Sequence, residues 1–540
     1  MKAKVYFTIA VSLVLVSSCQ DREWDDHYGL NTGAPTQNVM QLLEQNSEYS
    51  SFVAAIKAQR LDTLLTQDQT FTVWAPNNEA MAAWTSDGND MDHLLKNHIN
   101  RFVFTNSDLT DTTLVRIKML NGKFQDFERS GSGYTFAGIG LGMGDLIATN
   151  GLVRPLTSVA PFYLNIYETI NSNGNQTDSL SAYLRSFDEY TFDRANSTAT
   201  GKNALGQLVY DSVFVYQNEW MQQFGDLYLE DSVYTVIMPT NTGWQAGLHA
   251  VKPYFRTFGT LESASVSTIN VPTRTYILDD AMADSLTHWH TMEAMAENLV
   301  FRGRVNPAAA DGDSLVATSG NVFHHPATLF SGAQAETVSN GTVWRTSQWS
   351  YEPADCFLKT ITVEAEDTYN RTDAYANVFS RSTAQTIYAD SVSGQRYIEV
   401  AAATTNARTQ PMVQFSISNT LAAEYDIYVV FAPAEAYVTG ATADSTRVNF
   451  YLNYVHEDGK MHEDAVINGG ITQGTGMTKM LVTRIKLPFA NFTASRFERG
   501  ESQADDCVRL RIQTNVPANE TTRLTRTMRI DRIIFEPVTE

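Results

Sequence analysis

The glycines at 138–144, ten histidines, three cysteines and sixty carboxylates are the residues of this chain that could hold a phosphate, a metal or a scissile bond. Gly138-Ile139-Gly140-Leu141-Gly142-Met143-Gly144 comes nearest to a dinucleotide-binding fingerprint, yet its glycines fall on every second residue. The fingerprint needs another spacing and a following helix, so the alternation with Ile, Leu and Met predicts a glycine-rich strand or hairpin. His93 and His98 are five apart, off one helical face, and His288 and His290 flank Trp289 with no third ligand. His98 reads as a core residue. HExxH, GxSxG, phosphate-loop and CxxC patterns are all missing from the sequence. The carboxylates are too numerous for spacing to pick a glycosidase pair. No catalytic residue is assigned, and the chain is not read as an enzyme.

One cysteine stands in a patterned setting. Met1-Lys2-Ala3-Lys4 is basic, Val5 to Val16 is mostly apolar, and Ser17-Ser18 are small residues directly before Cys19, as in a cleaved export signal. The apolar run falls short of the ~20 residues that span a bilayer. Val16-Ser17-Ser18-Cys19 resembles a bacterial lipobox, which implies a signal peptide over 1–18 and a lipidated Cys19. An acidic tether, 19–35, follows, and Gln20 to Tyr28 resembles the surface-export signal of some Gram-negative lipoproteins; a solvated charge run is the alternative. The expected location is the outer membrane, lipid-anchored, on its outer face. Cys356 and Cys507 then remain, with no spacing that signals a bridge or a zinc site.

The formal charge of −21 removes the basic footprint that phosphate binding needs and argues against nucleic acid. The same charge is repelled by anionic head groups, so membrane attachment must be covalent or inserted. Length suggests about three domains, and 43% hydrophobic residues are enough for each to build a core.

The elements that position everything else start at Thr70-Phe71-Thr72-Val73-Trp74-Ala75-Pro76-Asn77-Asn78-Glu79-Ala80-Met81. Alternating Phe71, Val73 and Ala75 predict a strand, Pro76 fixes φ, and Asn77 or Asn78 caps the next helix. Ile147-Ala148-Thr149-Asn150-Gly151-Leu152-Val153 reads as a strand broken by an Asn-Gly hairpin turn. With Leu94-Leu95-Lys96-Asn97-His98-Ile99 between them, these stretches resemble the signature boxes of the fasciclin domain. The resemblance covers roughly 36–170, and Arg154-Pro155 replaces the His that the family usually carries after Asn-Gly. It implies a helix from His93 to Phe104 over the corner, and a first domain over 36–162. Tyr234-Thr235-Val236-Ile237-Met238-Pro239-Thr240-Asn241 and Ser339-Asn340-Gly341-Thr342-Val343 repeat strand, Pro-Asn corner and Asn-Gly closure. They predict a divergent second copy over 163–359, with the polar insertions Asp193 to Asn203 and Arg256 to Arg274 as surface loops.

From about Thr360 short alternating runs replace helical spacing: Tyr425, Ile427, Val429 and Phe431; Val448, Phe450, Leu452 and Tyr454; Val508, Leu510 and Ile512. They predict a β-sandwich over 360–540. Ile361 to Asp367 and Arg529 to Phe535 resemble the first and last strands of jelly-roll carbohydrate-binding modules. The expected fold is therefore two α+β fasciclin-like domains in tandem, followed by an all-β, galactose-binding-like sandwich. In those modules a structural ion sits between the first and last strands, which implies calcium at Glu364, Glu366 and Asp531; solvated strand-end acids are the alternative. Glycan binding needs an aromatic platform flanked by amides or carboxylates. No tryptophan follows Trp349, so the candidate platform is Tyr451 with Asn449 and Asn453, on the face opposite Phe450 and Leu452.

These patterns add up to a non-catalytic cell-surface lipoprotein for adhesion or ligand binding. Its expected partners are outer-membrane lipid through Cys19 and an extracellular glycan or protein, the latter in a nutrient-uptake assembly. A structural spacer that binds no small ligand is the alternative, and a glycan-active enzyme comes third.

Overall fold

The computed structural model describes residues 35–539 apart from 85–90, 203–207, 258–259, 264–275, 278–279, 308–313, 405–408, 492–507 and the single positions 111, 132, 143, 173, 175, 212 and 459. Two compact units divide the chain, the first ending at Phe162 and the second beginning at Tyr163.

The first unit is built around the Phe71–Pro76 strand, which is buried along its whole length. Both faces are apolar because it has a layer on each side. Phe71, Val73 and Ala75 face the helices Val39–Gln45 and Ser50–Ala58, whose Val39, Leu43, Phe52 and Ile56 complete that cluster. Trp74 points the other way, stacked on Phe136 at 3.9 Å and tilted against Phe127 at 5.3 Å. Those rings come from a four-stranded antiparallel meander, Leu114–Lys118, Phe124–Ser130, Gly133–Phe136 and Ile139–Gly140. The glycine-rich stretch thus begins as a tight hairpin, as its alternation predicts. After Pro76, the Asn77 side chain accepts from Ala80 N and caps the helix Asn78–Ala83. Asn78 instead reaches back to Ser47 O and Ser51 N. The expected helix from His93 to Phe104 is shorter: Met91–Lys96 is helical, and the chain then turns so that Ile99–Asn100 pairs antiparallel with the corner strand. That exit lets Asn100 Oδ1 accept from Trp74 Nε1 at 3.1 Å.

The Gly151–Leu156 strand lies parallel to the corner strand, with Phe71 opposite Gly151 and Pro76 opposite Leu156. Its hairpin with Leu146–Ala148 closes at Thr149-Asn150, so Gly151 is not a turn residue. It has φ +148°, and a Cβ there would stand 2.0 Å from Phe71 O. Glycine is required by close backbone approach. Asn150 ties the ends together, its Oδ1 accepting from Val39 N at 2.8 Å and its Nδ2 donating to Leu65 O at 2.9 Å.

The second unit holds a four-stranded sheet with the strand order and parallel register of the first. Val300–Arg302, Tyr234–Pro239, Gly341–Thr346 and Gln334–Val338 lie side by side, with Tyr234 opposite Gly341 in parallel pairing. Gly341 has φ +157°, with Tyr234 O at 1.8 Å from the position of a Cβ. Asn340 clamps Ile166 N and the Leu227 carbonyl as Asn150 clamps its own neighbours. The insertions are not plain loops. Asp188–Phe192 and Phe214–Asn218 pair as a two-stranded ribbon, and Thr198–Lys202 pairs with Leu208–Asp211. Thr260–Ser263 adds to the sandwich by pairing parallel with the Lys460–Ile471 strand.

The sandwich belongs to the same compact unit as the second copy, and one apolar cluster runs from Ile166 to Phe535 through both. Its two sheets, among the described residues, carry Ile427, Val429 and Ile533 inward from one side and Val413, Phe450, Leu452 and Ile512 from the other. Ile361–Glu364 pairs antiparallel with the Met528–Pro537 strand, so first and last strands are neighbours. The joint with the second copy is made by Ala422 N to Tyr254 O, Ala490 N to Arg256 O, and Arg256 on Glu457 at 2.7 Å.

Gly151→Ala is expected to lower the stability of the first unit by about 3 kcal/mol or more, because a methyl there displaces the Phe71 carbonyl. Urea unfolding checks this, and an unchanged midpoint for the first unit contradicts the close-approach reading.

Candidate functional site

The outward face of the sandwich sheet that holds the Arg447–Val455 strand is polar. Strand alternation sends Val448, Phe450 and Leu452 inward and Asn449, Tyr451 and Asn453 outward, as expected. The register aligns three cross-strand rows on that face: Gln414, Arg511 and Tyr451; Ser416, Arg509 and Asn453; Met412, Gln513 and Asn449. Tyr451 is half-buried, with the Arg511 guanidinium 3.8 Å from its ring centre. The ring is therefore backed by a cation rather than standing alone. Asn515 Nδ2 donates to Asn449 Oδ1 at 3.3 Å.

Asn453 is 2% exposed and Ser416 1%, and Asn453 Oδ1 and Ser416 Oγ have no hydrogen-bond partner. A buried polar atom without a partner costs about 1–3 kcal/mol, and these two atoms lie in one cross-strand row with Arg509. Sequence analysis missed Gln414, Ser416, Arg509 and Arg511. The signal was available: in Val508-Arg509-Leu510-Arg511-Ile512 the polar half of the alternation must line the face opposite the core.

Glu364, Glu366 and Asp531 also come together. Asp531 is fully buried, its Oδ1 accepts from Ser393 N at 3.0 Å, and Arg532 Nη1 donates to its Oδ2 at 3.0 Å. Ser393 Oγ donates to Glu364 Oε1 at 2.5 Å, while Glu364 Oε2 and Glu366 Oε2 are buried without a hydrogen-bond partner. Burial first, and the neighbouring Glu364 and Glu366 charges next, push the Asp531 carboxyl up to about 7. Burial and the Glu364 charge raise that of Glu366. Hard oxygen donors and two orphaned carboxylate atoms have the chemistry that calcium prefers. No three such side chains among the described residues stand in a geometry that could hold a metal ion, so the donors are of the right kind without forming a ready-made centre.

The polar residues of the first unit's core are structural. His98 is fully buried; its Nε2 accepts from Ala160 N at 2.9 Å, so Nδ1 carries the hydrogen donated to Leu94 O at 2.8 Å. Burial lowers its pKa to about 4 against the opposing Leu94 hydrogen bond, which keeps this tautomer neutral. Arg154, in the place of the usual His, is 2% exposed. It donates to Asn106 Oδ1 at 2.6 Å and lies over Trp74 and Phe127 at 5.2 and 4.9 Å. Cys356 is a buried free thiol whose pKa burial raises. Cys19 and Cys507 lie outside the described residues, as do lipidation and any pairing with Cys356. Among the described residues no helix is long and apolar enough to cross a membrane.

Residues 47–159 match the family model of the fasciclin domain. A rabbit (Oryctolagus cuniculus) transforming growth factor-beta-induced protein ig-h3 is 29% identical over 133 residues, which are 23% of this chain and 19% of that protein. The pig (Sus scrofa) protein of that name is 28% identical over the same shares. The chain thus spans about a fifth of the length of these curated relatives. Among solved structures, a FAS1 domain pair from the insect cell adhesion molecule fasciclin I is 13% identical, with 58% of this chain and 99% of that one covered at a TM-score of 0.20. The CBM22-1 xylan-binding domain of Paenibacillus barcinonensis Xyn10C is 15% identical, with 34% and 95% covered at 0.20. Both likenesses are slight, and the sandwich is assigned on its own strands. The chain contains a fasciclin domain near its N-terminus.

Asp531 is protonated in the fold at a pH where an unfolded Asp is not, so it contributes stability below pH 4 that is lost as pH rises through about 7. With chelator present, the second unit is expected to lose at least about 1 kcal/mol between pH 4 and 7 by this route. Asp531→Asn should flatten that slope in urea titrations, and an equal slope in the variant contradicts the assignment.

Proposed function

We propose that this protein is a non-catalytic, lipid-anchored binding protein of the cell surface that holds a glycan on the outward face of its sandwich. The carrying observation is the pair of buried, unpartnered atoms Asn453 Oδ1 and Ser416 Oγ on a polar sheet face beside Tyr451. A sugar supplies what that face lacks. Its hydroxyls donate to Asn453 and Ser416, and its C–H face packs on the tyrosine ring that Arg511 backs. The fasciclin domain supports an adhesive role, with an extracellular glycan or a protein of a nutrient-uptake assembly as partner. The second copy of the corner arrangement is read as a divergent fasciclin-like domain.

Attachment is proposed through an acylated Cys19 after removal of residues 1–18, with the acidic tether carrying the domains off the outer membrane. Two or more acyl chains anchor stably where one is marginal. Calcium, where present, is held by Glu364, Glu366 and Asp531 and has a structural role, neutralising three carboxylates between the first and last strands.

Tyr451→Ala and Asn453→Ala are each expected to weaken binding of the full chain to a recognised glycan by roughly tenfold on a glycan array followed by calorimetry. An array that stays blank with folded protein favours the spacer reading instead, and wild-type affinity in both variants removes the glycan from the sandwich face. Cys19→Ser should move the protein from the membrane to the soluble fraction, and retention in the membrane contradicts lipidation.

A further inference from the structure

The hairpin that joins Arg447–Val455 to Lys460–Ile471 carries a repeated tripeptide, His456-Glu457-Asp458 and His462-Glu463-Asp464. The register sets Tyr454 opposite His462, and the chain brings His456 to the same spot. Its ring stacks on Tyr454 at 4.1 Å between centroids, and its centroid is 4.4 Å from that of His462, with the rings tilted by 53°. Both imidazoles are half-buried, and the His462 side chain is 35% exposed. Asp458 Oδ2 is 2.9 Å from His462 Nε2. A carboxylate only accepts, so that nitrogen carries the hydrogen and the neutral ring keeps its lone pair on Nδ1. Between the two, Glu457 holds Arg256 at 2.7 Å and pins the hairpin tip to an earlier part of the unit.

We propose that His456 and His462 form a two-imidazole site for a transition-metal dication, Cu2+ or Ni2+, at this tip. The ring spacing carries the inference. With metal–nitrogen bonds of about 2.05 Å an ion stands roughly 3.2 Å from each ring centre, so two imidazoles at a right angle hold their centres about 4.5 Å apart, and at a tetrahedral angle about 5.2 Å. The observed 4.4 Å fits the right angle, the geometry of tetragonal copper and nickel rather than of four-coordinate zinc. Each ring is also held in orientation. His456 is fixed by its stack on Tyr454, and His462 by Asp458, the carboxylate–histidine arrangement that sets a ligand's tautomer. Imidazole nitrogen selects against calcium and magnesium, which take oxygen, and the −21 charge of the chain favours a cation at its surface. No group of three His, Cys, Asp or Glu side chains among the described residues could hold an ion, so water takes the remaining positions. Strand alternation puts Tyr454 on the face opposite Tyr451 and Asn453, and the site does not rest on the glycan reading.

Calorimetric titration of the full chain, made without a polyhistidine tag, with CuCl2 and with NiCl2 tests it. His456→Gln and His462→Gln should each weaken Cu2+ binding at least tenfold, and Asp458→Asn should weaken it less. All three side chains lie at a hairpin tip, so unfolding midpoints without metal should match the wild type. Electron paramagnetic resonance of the Cu2+ form should show coupling to two nitrogens in the wild type and to one in each histidine variant. A wild-type spectrum with one nitrogen or none overturns the site whatever the variants do. So does wild-type affinity in both histidine variants, which puts the ion on other histidines, or displacement of Cu2+ by excess Ca2+, which means oxygen ligands. The absence of saturable binding by either ion overturns it as well.

Discussion

A backbone contact organises both α+β parts of the chain. In each, a strand ending in proline lies parallel to a strand opened by Asn-Gly, so close that the first carbonyl occupies the space of a missing Cβ: Phe71 O over Gly151, and Tyr234 O over Gly341. Only glycine permits that approach, and the asparagine before it uses its amide to hold a helix start and a second backbone carbonyl, Leu65 O in the first sheet and Leu227 O in the second. With this pairing fixed, the rest follows. The corner strand is buried on both faces, and the helix leaves after the proline under a side-chain cap, Asn77 in the first copy and Thr240 in the second.

Polar burial has two meanings in this molecule. In the first unit His98 and Arg154 are deeply buried and tied by hydrogen bonds to carbonyls, an amide N–H and an asparagine. At His98 the fold replaces what water gave, with a donor at one ring nitrogen and an acceptor at the other. On the sandwich, Asn453 Oδ1, Ser416 Oγ, Glu364 Oε2 and Glu366 Oε2 are buried without such replacement. These atoms differ from those of His98 in that no donor within the described residues meets them.

The second unit joins two sequence textures in one core. An inserted strand, Thr260–Ser263, extends the sandwich sheet, and backbone hydrogen bonds from Ala422 and Ala490 reach back to Tyr254 and Arg256. The sandwich face and the Asp188–Phe192 ribbon thereby belong to one compact body, the first from strands after residue 360 and the second from an insertion before it.

Local pattern was enough for several features. Alternation set which residues of the Arg447–Val455 strand face the core, Asn-Gly marked both closing strands, and the spacing of the glycines at 138–144 ruled out a nucleotide loop. Each of these depends on neighbours in sequence, through φ preference or strand period. Tertiary structure alone decided the rest. Gly151 is needed for a carbonyl from eighty residues earlier rather than for a turn, the polar insertions became paired strands, and Arg511 came to lie under Tyr451. The meeting of Glu364 and Glu366 with Asp531 was legible only by family resemblance, because strand order places them together, and Ser393 was not legible at all. Such contacts are set by which backbones pair across long separations, and the side-chain period of one strand carries no information about its partner.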